Sequence, residues 1–181
     1  MESGAVLINF TFHSPLLILF LGGFILAITL TIILVCSALL AVTDQVIKYF
    51  VMRDLAPVGH ISVIDGFFSL VYVENRGIAF GMFQGMFWFF SLVTVVFIGI
   101  FIYMIVKKIF SGRLFYISSA LIIGGGIGNL IDRIFREYVV DYLSFSIFSP
   151  IFNFADCCVT VGAFLMMTAA FLPVLRAKRH E

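Results

Sequence analysis

The chain has 181 residues, 62% of them hydrophobic and only 12% charged, with 23 phenylalanines and a formal net charge of +1. A soluble domain carries about 25% charged residues, so this composition, with a mean hydropathy of +1.18, excludes that class and points to an integral membrane protein. The length fits one domain, residues 1–181, and the near-neutral charge gives no electrostatic reason to expect a nucleic-acid partner.

In chain order, the first uncharged stretch is residues 16–42. It is too long for a signal-peptide core, has no Lys or Arg before it and shows no small-residue cleavage site, so we read it as a retained helix. The outer loop that follows, residues 43–85, is too long for a bare connection. Within it His60–Ile64 alternates, residues 67–73 are β-branched and aromatic, and Asp65-Gly66 lies between them as a turn. That pattern predicts a small hairpin on the bilayer surface, where aromatic rings are enriched. Three more uncharged stretches follow, residues 86–106, 114–131 and 157–175. Each reaches or nears the roughly 20 residues needed to cross the hydrocarbon core as a helix. The expected fold is therefore a mainly α membrane protein. It has four transmembrane helices, a small extracytoplasmic β-hairpin between helices 1 and 2, and a second outer loop over residues 132–156.

Four spans put both termini on one side. The short connection 107–113 holds Lys107, Lys108 and Arg113, and the tail holds Arg176, Lys178 and Arg179. The other two loops hold Lys48, Arg53, Arg76, Arg133 and Arg136, together with eight of the ten acidic residues. Basic residues packed beside span ends mark the cytoplasmic side. This places the termini in the cytoplasm and the outer loops at the extracytoplasmic surface.

Two aspartates in otherwise apolar segments carry the functional argument. Asp141 lies in Val139-Val140-Asp141-Tyr142-Leu143 and Asp156 in Phe152-Asn153-Phe154-Ala155-Asp156, fifteen residues on. A carboxylate near hydrocarbon is expensive unless partnered, and such groups mark functional sites. Pro150 disfavours a helix at Ser149, so a helix beginning soon after it brings Asn153 and Asp156 into its first turns. There the backbone dipole favours a charged Asp156, whereas burial raises the pKa of Asp141. Opposite pushes on neighbouring carboxylates give one base and one acid, which is what an aspartyl dyad needs.

Other polar residues support or compete with this picture. Asn129 and Arg133 are four apart and share a helix face, with Asp132 beside it. Gly124, Gly125, Gly126 and Gly128 just before them suit close helix packing. Asp44 and Lys48, one turn apart just outside span one, read first as a structural ion pair and second as support for a site. Asn75-Arg76-Gly77 reads first as a turn after a strand. Cys36, Cys157 and Cys158 form no disulfide framework. His13, His60 and His180 lack metal-ligand spacing, so no metal or organic cofactor is expected.

Five ordered blocks resemble the bacterial lipoprotein signal peptidases, also called signal peptidase II. They are Thr43-Asp44-Gln45 with Lys48; Asn75-Arg76-Gly77-Ile78-Ala79-Phe80; Gly124-Gly125-Gly126-Ile127-Gly128-Asn129 leading to Asp132-Arg133; Val139-Val140-Asp141-Tyr142; and Phe152-Asn153-Phe154-Ala155-Asp156. Ile78 and Gly126 stand where alanine is common, and Cys157 where serine is frequent. The resemblance implies an intramembrane aspartyl protease of the bacterial cytoplasmic membrane, working as a monomer among membrane lipids. Such an enzyme cuts the signal peptide from a diacylglyceryl-modified prolipoprotein just before its lipidated cysteine. Its catalytic aspartates map onto Asp141 and Asp156. Its supporting or substrate-binding residues map onto Asp44, Lys48, Asn75, Gly77, Asn129, Arg133 and Asn153. Two other classes fit the composition: a small proton- or cation-coupled transporter, and a Mg-dependent lipid head-group transferase. The first lacks an internal repeat and midplane acids; the second lacks several carboxylates clustered on one segment.

Overall fold

The computed structural model describes residues 15–77 and 87–177. The motif residues Ile78-Ala79-Phe80, and Lys178 and Arg179 of the basic tail, lie outside the described residues, as do His13 and His180. Helix α1 (Pro15–Phe50) runs into a π-helical turn (Val51–Leu55), followed by strands β1 (His60–Ile64) and β2 (Phe68–Asn75). Helices α2 (Phe87–Val106) and α3 (Arg113–Arg136) come next, then strands β3 (Val139–Phe145) and β4 (Phe148–Phe152), and helix α4 (Phe154–Ala177). Among the described residues four helices are long and apolar enough to cross a membrane. Half of the apolar stretch of α3 is buried, against 11–17% in the other three. That difference makes α3 the central helix, with α4 and α1 packed most extensively against it and α2 less so.

Glycines let these helices approach closely. A Cβ on Gly124 would fall 2.9 Å from both Leu40 Cβ and Ser37 O on α1, and one on Gly125 would meet the Ala155 carbonyl and Val159 on α4. Gly162 answers from α4, where a Cβ would lie 2.7 Å from Ile122. Dispersion and close backbone contact drive association where lipid removes the hydrophobic difference between helices.

The hairpin of β1 and β2 forms as expected, but its second strand runs Phe68–Asn75 and not 67–73. Its turn requires Gly66, whose φ is +70°, a region that suits a residue without Cβ. The hairpin is half of a four-stranded antiparallel sheet of order β1-β2-β3-β4. The pairing of Val73 with Asp141 and of Asn75 with Val139 brings the fourth motif block against the second.

Three expected boundaries are corrected. The first span does not end at residue 42, and residues 43–85 are not wholly a loop: α1 continues through Asp44 and Lys48 to Phe50. A search for uncharged runs stops at Asp44. The chain continues as a helix because Asp44 and Lys48, at i and i+4, pair with each other inside the protein. The third span likewise extends past residue 131 to Arg136, which puts Asp132 and Arg133 in the helix. The loop 132–156 is in fact the end of α3, two strands and the first turn of α4. Pro150 sits inside β4, not in a helix approach; β4 is an edge strand, where a missing N–H is tolerated. Glu137 closes α3 in the left-handed conformation (φ 64°), its N–H on the Arg133 carbonyl, and turns the chain into β3.

Two apolar clusters result. One lies in the bundle around Ile33, Phe101, Ile105, Phe115 and Ile123. The other lies under the sheet around Val51, Leu55, Val140 and Tyr142. Along both α1 and α3 the residues between these clusters are polar and buried: Asp44, Lys48, Asn129 and Asp132.

Candidate active site

At the sheet end of the bundle, β3 and α4 deliver the two aspartates. Asp141, on β3, is 2% exposed. Its Oδ2 accepts from Asn75 Nδ2 of β2 at 2.8 Å, and its Oδ1 from Asn153 Nδ2 at 2.7 Å. Burial, the largest influence, pushes its pKa up from 3.8 to about 6, with the Asn75 bond opposing and the Asp156 charge reinforcing.

Asp156 owes its place to helix capping. Asn153 precedes α4, and its Oδ1 accepts the Asp156 N–H at 2.9 Å, while Asp156 Oδ2 accepts the Asn153 N–H at 3.2 Å. This reciprocal pair is a capping box. Asp156 Oδ1 accepts from Asn129 Nδ2 of α3 at 2.7 Å. The remaining free N–H groups of the first turn are also satisfied, Phe154 by the Tyr142 hydroxyl at 3.2 Å and Ala155 by Asp44 Oδ1 at 3.1 Å.

Asn153 therefore touches both aspartates, and its amide orientation follows from the contacts. Its Nδ2 lies against Asp141 Oδ1 and, at 3.2 Å, against Asn129 Oδ1, while its Oδ1 faces an N–H. The reverse orientation would set an oxygen against a carboxylate. Behind Asn129 stands Lys48, 0% exposed, which spends its three protons on Asn129 Oδ1 at 2.9 Å and on Asp44 Oδ2 and Asp132 Oδ2 at 2.8 Å each. No buried side-chain N or O atom lacks a partner among the described residues.

Of the residues singled out in the sequence, Asp44, Lys48, Asn75, Asn129, Asn153, Asp141 and Asp156 thus join one network. Gly77 reaches it through its N–H, which donates to Asn75 Oδ1 at 3.1 Å. Arg133 stands apart. Its one hydrogen bond among the described residues is a long one, 3.5 Å, to the Asn129 carbonyl, and its guanidinium lies 6.0 Å from the Phe90 ring centroid. Among the described residues most of its donors have no partner. Sequence reasoning missed Gln45, Tyr142 and Arg136, and noted Asp132 only in passing. Gln45 donates to Asp132 Oδ1 and the Gly128 carbonyl, both at 3.0 Å, and Arg136 binds Asp132 and Gln45 Oε1. The i, i+4 spacing of Asp132 and Arg136 is the signal that was available.

Asp156 also forms one wall of an open, mainly apolar groove of about 470 Å³, lined by Phe145, Phe148, Phe152, Cys157 and Val161 among others. Among the described residues no three His, Cys, Asp or Glu side chains are grouped to hold a metal ion. Both aspartates accept hydrogen bonds from amide N–H donors.

Known proteins resemble this chain over most of its length. A family profile described as Signal peptidase (SPase) II matches residues 36–172. The lipoprotein signal peptidase of Caldanaerobacter subterraneus subsp. tengcongensis is 44% identical over 133 residues, 74% of this chain and 91% of that protein. The lipoprotein signal peptidase of Fusobacterium nucleatum subsp. nucleatum is 43% identical over 134 residues, 71% of this chain and 79% of the relative. A bacterial membrane enzyme solved by the in meso method at 2.3 Å superposes with a TM-score of 0.70 at 26% identity, covering 83% of this chain and 92% of that one. The profile match includes both aspartates and every buried polar group described above, and the chain belongs to the signal peptidase II family.

Proposed function

We propose that this protein is an aspartic-type endopeptidase that removes the signal peptide from diacylglyceryl-modified prolipoproteins, cutting before the lipidated cysteine. The observation that carries the reading is that one residue, Asn153, holds both carboxylates, its side-chain amide donating to Asp141 and its backbone N–H to Asp156. Membership of the family supplies the substrate class, since its relatives are lipoprotein signal peptidases.

Asp156, at the N-terminus of α4 and facing the groove, is the base that takes a proton from water. Asp141, held towards its neutral form by burial, donates to the scissile carbonyl oxygen as the water oxygen attacks carbon. The resulting diol collapses when the C–N bond breaks, the proton held by Asp156 passing to the departing amine and a diol proton returning to Asp141. Arg133, with donors to spare, binds the peptide backbone. The apolar groove beside Asp156 suits the substrate's hydrocarbon, and the diacylglyceryl group holds the peptide in register. The protein acts as a monomer in the bacterial cytoplasmic membrane, with the site at the extracytoplasmic surface and both termini cytoplasmic.

The test is cleavage of a diacylglyceryl prolipoprotein by the purified full chain in lipid vesicles with EDTA present. Signal-peptide release is expected despite chelation. Asp141→Asn and Asp156→Asn should each lower turnover by about 10²–10⁴-fold, the usual contribution of a positioned acid or base. Near-normal turnover in either variant removes that residue from the chemistry, and loss of activity with EDTA overturns the metal-independent mechanism.

A further inference from the structure

Among the described residues the most deeply buried charges are not the dyad. They are Asp44, Lys48 and Asp132, each 0% exposed. Three such charges need a reason, because a buried ionic group is seldom more stabilising than apolar residues of the same volume.

Their hydrogen bonds supply one. Each carboxylate binds Lys48 Nζ at 2.8 Å, and each also accepts one backbone N–H from across the site. Asp132 Oδ2 accepts from Val140 N and Asp44 Oδ1 from Ala155 N, both at 3.1 Å. Val140 immediately precedes Asp141, and Ala155 immediately precedes Asp156. Val140 pairs with Glu74 of β2, but the described pairing of β3 with β4 begins only at Leu143, so at Val140 the β4 side of β3 is left open to Asp132. Ala155 is in the first turn of α4, where N–H groups lack a carbonyl four residues back. One ammonium thus links the backbone just ahead of both aspartates, one on a strand and the other on a helix. Its third bond goes to Asn129, whose amide holds Asp156.

We propose, resting on the assignment of Asp141 and Asp156 as the catalytic pair, that Asp44, Lys48 and Asp132 are positioning residues, forming a buried clasp that fixes β3 against α4 and so sets the spacing of the dyad. Arg136 closes it. Its guanidinium binds Asp132 and, at 3.0 Å, Gln45 Oε1, and brings two negative and two positive charges to a sum of zero. The side chain of Arg136 is 25% exposed, so it stands at the rim of the cluster and not in its interior. No member of the clasp needs to touch substrate.

The experiment measures kcat, KM and melting temperature separately for Lys48→Met, Asp132→Asn, Arg136→Gln and Arg136→Lys, in full-length protein with a diacylglyceryl prolipoprotein. A displacement of about 1 Å at a reacting group costs about 100-fold in rate, so Lys48→Met and Asp132→Asn should lower kcat by that order with KM little changed. Arg136→Gln should lower kcat by less, and Arg136→Lys should recover most of it. A lowered melting temperature with kcat intact would make these groups packing residues and overturn the clasp. If Lys48→Met does not fold, the rim pair decides: equal kcat in wild type, Arg136→Gln and Arg136→Lys overturns the proposal, and loss with rescue supports it. Asp141→Asn, run alongside, separates the two ideas, because activity surviving there removes the dyad, whereas an inactive Asp141→Asn beside unaffected clasp variants removes only the clasp.

Discussion

At Asp141 several influences compete. Burial favours the neutral acid most strongly, the Asn75 amide favours the carboxylate, the Asp156 charge opposes it, and the Asn153 amide favours it again. Burial wins, and the pKa rises from 3.8 to about 6. Because the folded value lies above the unfolded one, the contribution to stability is complete below about pH 4 and is lost as the pH rises through about 6. Two pKa units correspond to about 3 kcal/mol. Wild-type protein should therefore lose melting temperature between pH 4 and pH 8 relative to Asp141→Asn, most steeply near pH 5–6, and kcat/KM should fall above about pH 6 as the acid loses its proton. A difference in melting temperature that stays constant across this range would show that Asp141 does not prefer its neutral form. The same residue was legible in the sequence, because an isolated carboxylate among valines is conspicuous. Its partner Asn75 was legible only through the family blocks, since an asparagine in a turn has an ordinary local explanation, whereas Asn153 was placed beside Asp156 by the expected start of a helix.

Among the elements, α3 separates what hydropathy reveals from what it hides. The glycines of its middle turns were readable as packing residues, and the structure gives each a different neighbour. Beside Gly125 stands backbone of α4, and beside Gly128 stands Asp44 Oδ2, 2.7 Å from where a Cβ would go. Beside Gly126 the nearest atom, Thr94 Cγ2 of α2, lies 3.4 Å away, within ordinary contact. Gly126→Ala should therefore be tolerated and gain up to about 1 kcal/mol from helix propensity, which fits the alanine common at this position in the family. Gly125→Ala should open the α3–α4 contact and lower both melting temperature and cleavage, as scored on the two variants side by side. Equal behaviour of the pair would show that α3 does not set the helix separation. Hydropathy failed where charge entered the helices. Asp44 ended the first predicted span early and Asp132 the third, although with Lys48 and Arg136 their charges sum to zero inside and at the rim of the bundle. Strands β3 and β4 were hidden for a related reason. Val139-Val140 and Tyr142 to Phe145 are good strand residues, but the interrupting Asp141 and the edge residue Pro150 break the pattern that alternation would show.

Over the whole molecule, charge and chemistry separate to opposite ends of the helices. Helix α3 spans 24 residues, about 36 Å at 1.5 Å per residue. It carries Arg113 at one end, next to Lys107 and Lys108 of the α2–α3 connection, and Asn129, Asp132 and Arg136 towards the other, where the sheet and both aspartates lie. A bilayer core is about 30 Å thick, so a helix of this length can reach both aqueous phases. In the orientation proposed above, the lysine-rich connection lies in the cytoplasm and the sheet end faces outward, where a protease would meet signal peptides of exported proteins. Single cysteines placed at positions 53–59, in a chain whose Cys36, Cys157 and Cys158 have been replaced, should react with a membrane-impermeant maleimide in intact cells. Cysteines at positions 110–112 should react only after the membrane is opened. The reverse pattern would put the dyad on the cytoplasmic face, where its substrates arrive before export, and would require a different account of how a lipid-modified signal peptide reaches Asp141 and Asp156.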